Sequence, residues 1–318
     1  MTRSPKLTRL VPEQSLKRLE LKVTRRLDGL LHGEHLGLLP GPGSDLAEAR
    51  LYQPGEDDVR HMDWSVTART TTPHVRDLIA DHELETWALV DLSPSMDFGT
   101  ARMEKRDLAV AALAAVGFLT ARLGDRLGAH IMHGGQIRRW PARTGRIATY
   151  TLLQALLDAP RGTAGPDGPR LADALSGLAR SQTKRGLRVV ISDFLDRQET
   201  PGGELSWERP MRQLAVRNQV IAVEIIDPRE LDLPDVGPVM MTDPETGDTH
   251  EIILSAKVRA AYVEAAAAQR ARIRGALRSC GAGHLTLRTD RDWITDVARF
   301  ALQQRRVAGR PQPRGGRP

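Results

Sequence analysis

One carboxylate and two hydroxyls occur within five positions at residues 91–95, in the string Asp-Leu-Ser-Pro-Ser. The string follows the apolar run Trp87–Val90, and a helical pattern begins near Glu104. This order predicts a buried parallel strand, a loop and then a helix. In an open α/β sheet, ligands bind just beyond the carboxyl ends of the strands. One carboxylate and two hydroxyls at that place suit a hard divalent cation such as Mg²⁺.

A second acid is expected at the same edge of the sheet. The apolar strand Leu187–Ile191 ends in Ser192 and Asp193. If both strands run parallel in one sheet, Asp91 and Asp193 reach the same edge. Two interpretations stay open on the residues alone. The acids are metal ligands that leave room for water and for a partner's ligand, or they cap the turns and helices that follow their strands.

Strands and helices alternate along the part of the chain that contains these acids. Helical patterns cover Glu104–Leu123, Leu171–Ser181 and the alanine-rich stretch 256–279, with apolar strands at Gly186–Ile191 and Val220–Ile226 between them. Alternation of this kind predicts an α/β fold with a doubly wound, mostly parallel sheet that helices cover on both faces.

Four regions are expected along the chain. Residues 1–34 form a basic amphipathic N-terminal appendage, and residues 35–82 form a compact segment that packs on the main domain. The α/β domain occupies residues 83–304. Residues 305–318 are rich in Arg, Gly and Pro and are expected to form a disordered basic tail.

The net charge of +6 comes from the two ends of the chain. Residues 1–26 carry +6 and residues 305–318 carry +5, so the body between them is net −5. Basic ends can touch nucleic acid, membrane lipid or an acidic partner, which leaves peripheral membrane contact open. Aromatic residues make up only 4% of the chain, which argues against a base-stacking surface, and no specific nucleic acid is expected.

The sequence predicts a cytoplasmic protein. Cys280 is the only cysteine, which excludes an intrachain disulfide and fits a reducing compartment. The basic N-terminus is followed by no apolar core, so no signal peptide is expected. The longest uncharged apolar stretch, Leu108–Ala121, has fourteen residues and is too short to span a bilayer.

Two separate motifs resemble known families. Residues 89–96 (LVDLSPSM) and 190–194 (VISDF) resemble the first and last motifs of a von Willebrand factor A domain, which carries a metal-ion-dependent adhesion site. Residues 52–70, with Pro-Gly-Glu-Asp-Asp, Asp-Trp and Ala-Arg-Thr, are similar to the signature of a bacterial family numbered 58 among domains of unknown function. That family pairs its signature with an A-type domain, and the likeness extends over about residues 35–200.

The resemblance implies a ligand set for Mg²⁺ or Mn²⁺. Asp91, Ser93 and Ser95 correspond to the ligands of the first motif, and Asp193 corresponds to the acid of the last motif.

One ligand of the family pattern has no direct counterpart in this chain. The pattern has a threonine in the loop before a Leu-x-x-Ala-Leu helix, whereas Gly168-Pro169-Arg170 precedes Leu171–Leu175 here. Thr163 is the expected substitute if the loop folds back, and we expect the metal to bind weakly.

The acidic residues 56–58 of the signature favour a helix N-terminus, where the helix dipole stabilises negative charge. Val59, Met62 and Val66 would then form a buried stripe. A nuclease-like carboxylate cluster for two metals is the alternative, but neighbouring residues on a helix do not face a common point.

The sequence as a whole predicts a non-enzymatic, metal-dependent protein-interaction module. The family resemblance implies that it works with a MoxR-type AAA+ ATPase, or with a client protein supplying an acidic ligand, in protein maturation or complex assembly. The chain has no phosphate-binding loop, dinucleotide fingerprint or G-x-S-x-G elbow. The alternatives are a metal-dependent phosphoester hydrolase using the same site, and nucleic-acid binding through the basic ends.

Overall fold

The computed structural model describes residues 12–31, 49–53, 59, 62–76, 85–161, 168–195, 203–242 and 248–308. Its helices are α1 (Pro12–Leu31), α2 (Trp64–Thr70), α3 (Lys105–Leu123), α4 (Arg146–Leu157), α5 (Leu171–Ser181), α6 (Glu208–Arg217), α7 (Ala256–Ser279) and α8 (Trp293–Ala308). Its strands are β1 (Ala49–Leu51), β2 (His74–Arg76), β3 (Glu85–Asp91), β4 (Arg126–His133), β5 (Gln136–Thr144), β6 (Leu187–Ser192), β7 (Gln219–Ile226), β8 (Pro238–Thr242), β9 (Thr249–Ile253) and β10 (Gly283–Arg288).

The central sheet has the strand order β10-β7-β6-β3-β4-β5. Its neighbouring strands are parallel except for the antiparallel pair of β4 and β5. The chain runs from β3 through β4 to one edge, and later places β6 on the other side of β3. Strand order therefore reverses between β3 and β6, and ligands of such sheets bind at this switch point. The predicted mostly parallel α/β fold is confirmed.

Helices cover both faces of the sheet, because successive side chains of a strand point to opposite sides. Ala88 and Val90 of β3 pack in a core beneath α3, α4 and α8. Trp87 and Leu89 pack in a second core beneath α5, α6 and α7. Since both sets are buried, β3 is apolar along its length, as a strand covered on two sides must be.

Helix α1 packs on the body of the protein through its apolar stripe. Leu16, Val23 and Leu27 are buried in the core that also contains residues of α3 and α8. Arg26 pairs with Asp292 at 2.5 Å. These three residues of the apolar stripe are thus buried within the protein. No helix in the described residues is long and apolar enough to cross a membrane.

Helix α2 is the helix that the structure describes in the signature segment. The Asp63 carboxylate accepts hydrogen bonds from the backbone N–H groups of Ser65 and Val66, and this cap starts the helix at Trp64. Val59 is 54% exposed, so the predicted buried stripe through it is wrong. The acids at 56–58 lie outside the described residues.

Helix α8 runs to Ala308, four residues beyond the expected end of the domain, and residues 309–318 lie outside the described part of the chain.

Candidate metal site

Asp91 is the last residue of β3, and its carboxylate is tied to two neighbouring elements. One oxygen, Oδ1, accepts a hydrogen bond of 2.9 Å from the backbone N–H of Ser93, which fixes the turn after the strand. The other, Oδ2, accepts a bond of 2.7 Å from the Ser192 hydroxyl at the end of β6. Only 4% of Asp91 is exposed. Adjacent parallel strands thus bring the two motifs together as predicted.

Ser93 and Ser95 present their hydroxyls next to this carboxylate. Pro94 opens a 3-10 turn, Pro94–Asp97, because its ring fixes a backbone angle suited to the first position of a turn. The Ser93 N-cap position and this turn bring the two hydroxyl oxygens to 3.1 Å from each other. Ser95 is buried, whereas Ser93 is half-buried.

Asp193 directly follows β6 and lies at the same edge of the sheet as Asp91. Its Oδ1 accepts a hydrogen bond of 3.1 Å from the backbone N–H of Leu195. Its Oδ2 accepts one of 2.8 Å from the ammonium of Lys105. The Ser95 side chain also hydrogen-bonds to Asp193, so the loop after β3 contacts the acid that follows β6 directly.

The backbone after Asp193 adopts a costly conformation. Phe194 has a φ of +58°, a value that bulky residues rarely adopt. Its carbonyl accepts a bond of 3.1 Å from the Trp207 indole, and the two rings make an edge contact at 5.3 Å. Ser192 Oγ accepts a bond of 3.1 Å from the Phe194 N–H. These contacts hold the turn that presents Asp193, consistent with backbone strain collecting at functional sites.

The two aspartates have opposite electrostatic surroundings. Burial, together with the charge of Asp193, raises the pKa of Asp91 to about 6, although the bonds from Ser192 and Ser93 oppose the rise. Burial also acts to raise the pKa of Asp193, but the Lys105 ammonium outweighs it and leaves that pKa below its ordinary value. Asp91 has no salt-bridge partner among the described residues.

The sequence interpretation missed the ion network behind Asp193. Lys105, the first residue of α3, also bonds to Glu230 at 2.5 Å. Arg270 of α7 bonds to Glu230 and to Glu224 of β7, each at 3.1 Å. His284 of β10 completes the chain, with 2.8 Å between its Nε2 and Glu224. Lys105, at the start of a helix whose middle is apolar, was the one local signal of this network.

A third buried acid at this edge of the sheet holds the loop that follows the turn Pro94–Asp97. Asp227, directly after β7, accepts bonds from the backbone N–H and hydroxyl of Thr100, at 2.9 and 2.6 Å. The Thr289 hydroxyl and the Arg229 N–H also donate to it, at 2.8 and 3.0 Å. Burial acts to raise its pKa, but these bonds prevail and lower it. With its oxygens satisfied in this way, Asp227 has a structural role.

Thr163, the expected substitute ligand, lies outside the described residues. The described end of its loop, 168–170, offers no hydroxyl. Arg170 instead caps α5, where its N–H donates to the Asp173 carboxylate at 3.1 Å.

The donors at the switch point fit a hard cation. Among the described residues no group of three or more His, Cys, Asp or Glu side chains could hold a metal, so any site here depends on hydroxyls as well. The Asp91 carboxylate and the Ser93 and Ser95 hydroxyls supply the oxygen ligands that Mg²⁺ and Mn²⁺ prefer. A buried negative charge that no described side chain neutralises is the complement such a cation requires.

Comparison with known families agrees with the sequence resemblance. Residues 48–272 match the family described as "Protein of unknown function DUF58". The chain belongs to this family. Uncharacterized proteins of Mycobacterium tuberculosis H37Rv and Mycobacterium bovis are each 53% identical over 294 residues, which cover 92% of this chain and 90% of the relative. An uncharacterized protein of Mycobacterium avium is 46% identical over 54% of this chain and 98% of its own length.

Solved structures similar to this chain include von Willebrand factor A domains. The conserved hypothetical protein BatB of Bacteroides thetaiotaomicron has a TM-score of 0.38 at 14% identity, covering 70% of this chain and 99% of its own. The SpRpn10 VWA domain scores 0.35 at 14% identity, with coverages of 67% and 93%. A von Willebrand factor type A protein of Catenulispora acidiphila scores 0.34 at 14% identity, with coverages of 73% and 43%.

Proposed function

We propose that the protein is a non-enzymatic interaction module that binds an acidic group of a partner protein through Mg²⁺ or Mn²⁺. The observation that carries the proposal is Asp91, a buried carboxylate with no described counter-ion, beside two converging serine hydroxyls. A bound ion would supply an open coordination position for a partner's carboxylate. Asp91, Ser93 and Ser95 would hold the ion, and Asp193 would support it through Ser95.

The partner class rests on the family resemblance. We propose a MoxR-type AAA+ ATPase, or a client protein that such an ATPase matures, as the source of the acidic ligand. The motifs for nucleotide binding that the chain lacks would then be supplied by the partner. Thr163 stays a candidate ligand from the loop before α5.

A calorimetric titration of Mg²⁺ into chelator-stripped protein tests the metal site. We expect saturable binding to the wild type and none to Asp91→Asn, which keeps the size and the Ser93 hydrogen bond of the acid. Asp232→Ala is the matched control, because Asp232 is an exposed acid on the loop after β7. Identical titrations of wild type and Asp91→Asn would show that the edge is purely structural.

The partner proposal is tested separately by co-purification from native cells. Partners retained by the wild type should be lost with Asp91→Asn or on adding chelator, and retained with Asp232→Ala. The rival function is a phosphoester hydrolase, which requires metal-dependent turnover that Asp91→Asn abolishes. Turnover of generic phosphoesters with that dependence would replace our proposal.

A further inference from the structure

Lys105 stands at the first turn of α3 with its ammonium directed at the candidate metal site. The residue is 0% exposed, which is rare for lysine. Its ammonium donates to Asp193 Oδ2 at 2.8 Å and to Glu230 Oε1 at 2.5 Å. Two carboxylates that hydrogen-bond to one buried ammonium favour its charged form, so a positive charge is built into the wall of the site.

The network around Lys105 keeps this charge in place. Glu230 is held from its other side by Arg270, at 3.1 Å. Arg270 is held in turn by Glu224 and by the backbone carbonyl of Asp193, at 3.1 and 3.0 Å. Charged groups with several fixed partners do not reorient without leaving another buried charge unpaired.

Asp193 consequently has both carboxylate oxygens engaged. The backbone N–H of Leu195 binds Oδ1, and Lys105 binds Oδ2. A divalent cation drawn to this acid has to share it with an ammonium, and two cations near one carboxylate repel each other. Asp91 lacks such a competitor among the described residues.

We propose that Lys105 is the residue that sets the metal affinity of the site, as an internal counter-ion that weakens binding of a divalent cation. This inference rests on the metal-binding function proposed above. A carboxylate brought by the partner offsets the excess positive charge, so ion and partner bind together more strongly than either binds alone. The site holds its ion firmly only in the complex.

The test compares Mg²⁺ titrations of the chelator-stripped full-length wild type, Lys105→Met and Lys105→Arg. Met keeps most of the length of the side chain and removes its charge, whereas Arg keeps the charge. We expect Lys105→Met to bind Mg²⁺ at least about tenfold more tightly than the wild type. Lys105→Arg should bind no more tightly than the wild type.

Acetate serves as the probe for the partner's carboxylate. Added acetate should tighten Mg²⁺ binding to the wild type and change binding to Lys105→Met less. Sodium chloride at the same ionic strength is the control for screening. Equal effects of acetate on the two proteins would overturn the coupling.

Removing Lys105 leaves Asp193 and Glu230 without their shared counter-ion, so the single variant can fail to fold. Lys105→Met combined with Glu230→Gln removes one of these acids and keeps the test possible. Thermal midpoints with and without Mg²⁺ provide the second readout. A purely structural Lys105 predicts a lower midpoint in both conditions and an unchanged Mg²⁺ affinity, whereas our inference predicts a larger Mg²⁺-induced rise in the variant.

The outcomes separate the two proposals. Equal, measurable affinities of wild type and Lys105→Met overturn the role of Lys105 and leave the metal site standing. Binding by Lys105→Met alone supports the inference in its strongest form. If neither protein nor the double variant binds Mg²⁺, the proposed function fails and this inference fails with it.

Discussion

The ends of β3 and β6 carry the same residue type at the same edge of the sheet, but the protein treats the two aspartates differently. Asp193, 2% exposed, has a lysine ammonium on one oxygen and a backbone N–H on the other. Asp91, 4% exposed, receives hydrogen bonds from neutral donors alone within the described part of the chain. Burial is nearly equal, so the counter-ion makes the difference. It is also what lowers the pKa of one acid while the pKa of the other rises to about 6.

This difference separates an acid that a buried ammonium neutralises from one that only neutral described groups contact. A buried charge with a fixed partner belongs to the structure, and removing the partner is costly. A buried charge without a partner lowers stability, and such groups cluster at functional sites. Asp91 therefore makes the metal-free protein less stable than its fold allows, and a cation supplied from solution would recover the loss.

The largest expected change in the free energy of unfolding comes from removing the ammonium beside Asp193, which leaves that acid, like Asp91, without a charged partner among the described residues. Lys105→Met should lower the free energy of unfolding by about 3–5 kcal/mol in chelator, because two buried acids lose their counter-ion. Urea denaturation measures the loss. Lys257→Met, on the exposed start of α7, is the control and should change stability little. A loss below about 1 kcal/mol would mean that the ammonium does not stabilise the fold.

The converse change removes the uncompensated charge at the end of β3. Asp91→Asn should raise the free energy of unfolding of the metal-free protein at pH 7 by about 3 kcal/mol, because the pKa of this acid is about 6 in the folded state against 3.8 ordinarily. Asp193→Asn, the matched change at β6, should lower stability instead.

The raised pKa of Asp91 determines how the free energy of unfolding changes with pH. Its protonated form contributes stability that is fully present below pH 3.8 and is lost as the pH rises through about 6. The advantage of Asp91→Asn in urea denaturation should therefore grow between these values. An advantage that is constant with pH would contradict the assignment of the shift to Asp91.

His130 of β4 is a buried base, so its contribution to stability changes with pH in the opposite direction to that of Asp91. Burial, with a contribution from Arg139, lowers its pKa to about 4 from 6.5. Stability from the neutral ring is present above pH 6.5 and is lost as the pH falls toward 4, which amounts to about 1–2 kcal/mol. Urea denaturation at a series of pH values measures this loss of stability. The loss should be absent from His130→Asn, whereas His250→Asn, a change at an exposed residue of β9, should lose stability as the wild type does.

The smallest effect is expected for the hydroxyl that links the two strand ends. Ser192→Ala removes the 2.7 Å bond to Asp91, and should lower the free energy of unfolding by about 1 kcal/mol and raise the pKa of Asp91 further. Metal-free protein titrated by NMR would report that pKa. An unchanged pKa would show that Ser192 does not influence the carboxylate.

Much of the fold was predictable because it depends on local pattern. The predicted helices Leu171–Ser181 and 256–279 match α5 and α7 residue for residue, and apolar runs marked the buried strands. The position of Asp91 beside Ser192 also followed, since parallel strands bring their ends to one edge. The helix N-terminus predicted at the acidic residues 56–58 lies outside the described residues, and the Asp63 cap that starts α2 at Trp64 was not anticipated.

The ion network was not predictable from the sequence. Lys105 and Glu230 are 125 positions apart, and they come from the start of a helix and from a short turn after β7. No periodicity connects such residues, because their meeting depends on the relative placement of whole helices and strands. The pattern locates the acid of each motif but does not show which of them receives a counter-ion.

The strand order also determines when the site can form during folding. β3 pairs with β4, its neighbour in sequence, but the Asp91–Ser192 bond joins residues 101 positions apart. Long-range pairings of this kind form late, because the intervening chain must first lose conformational entropy. The acids and hydroxyls therefore come together only after β6 has joined the sheet. Metal uptake would report that the sheet is complete, and a newly synthesised chain would reach that point before it could engage a partner.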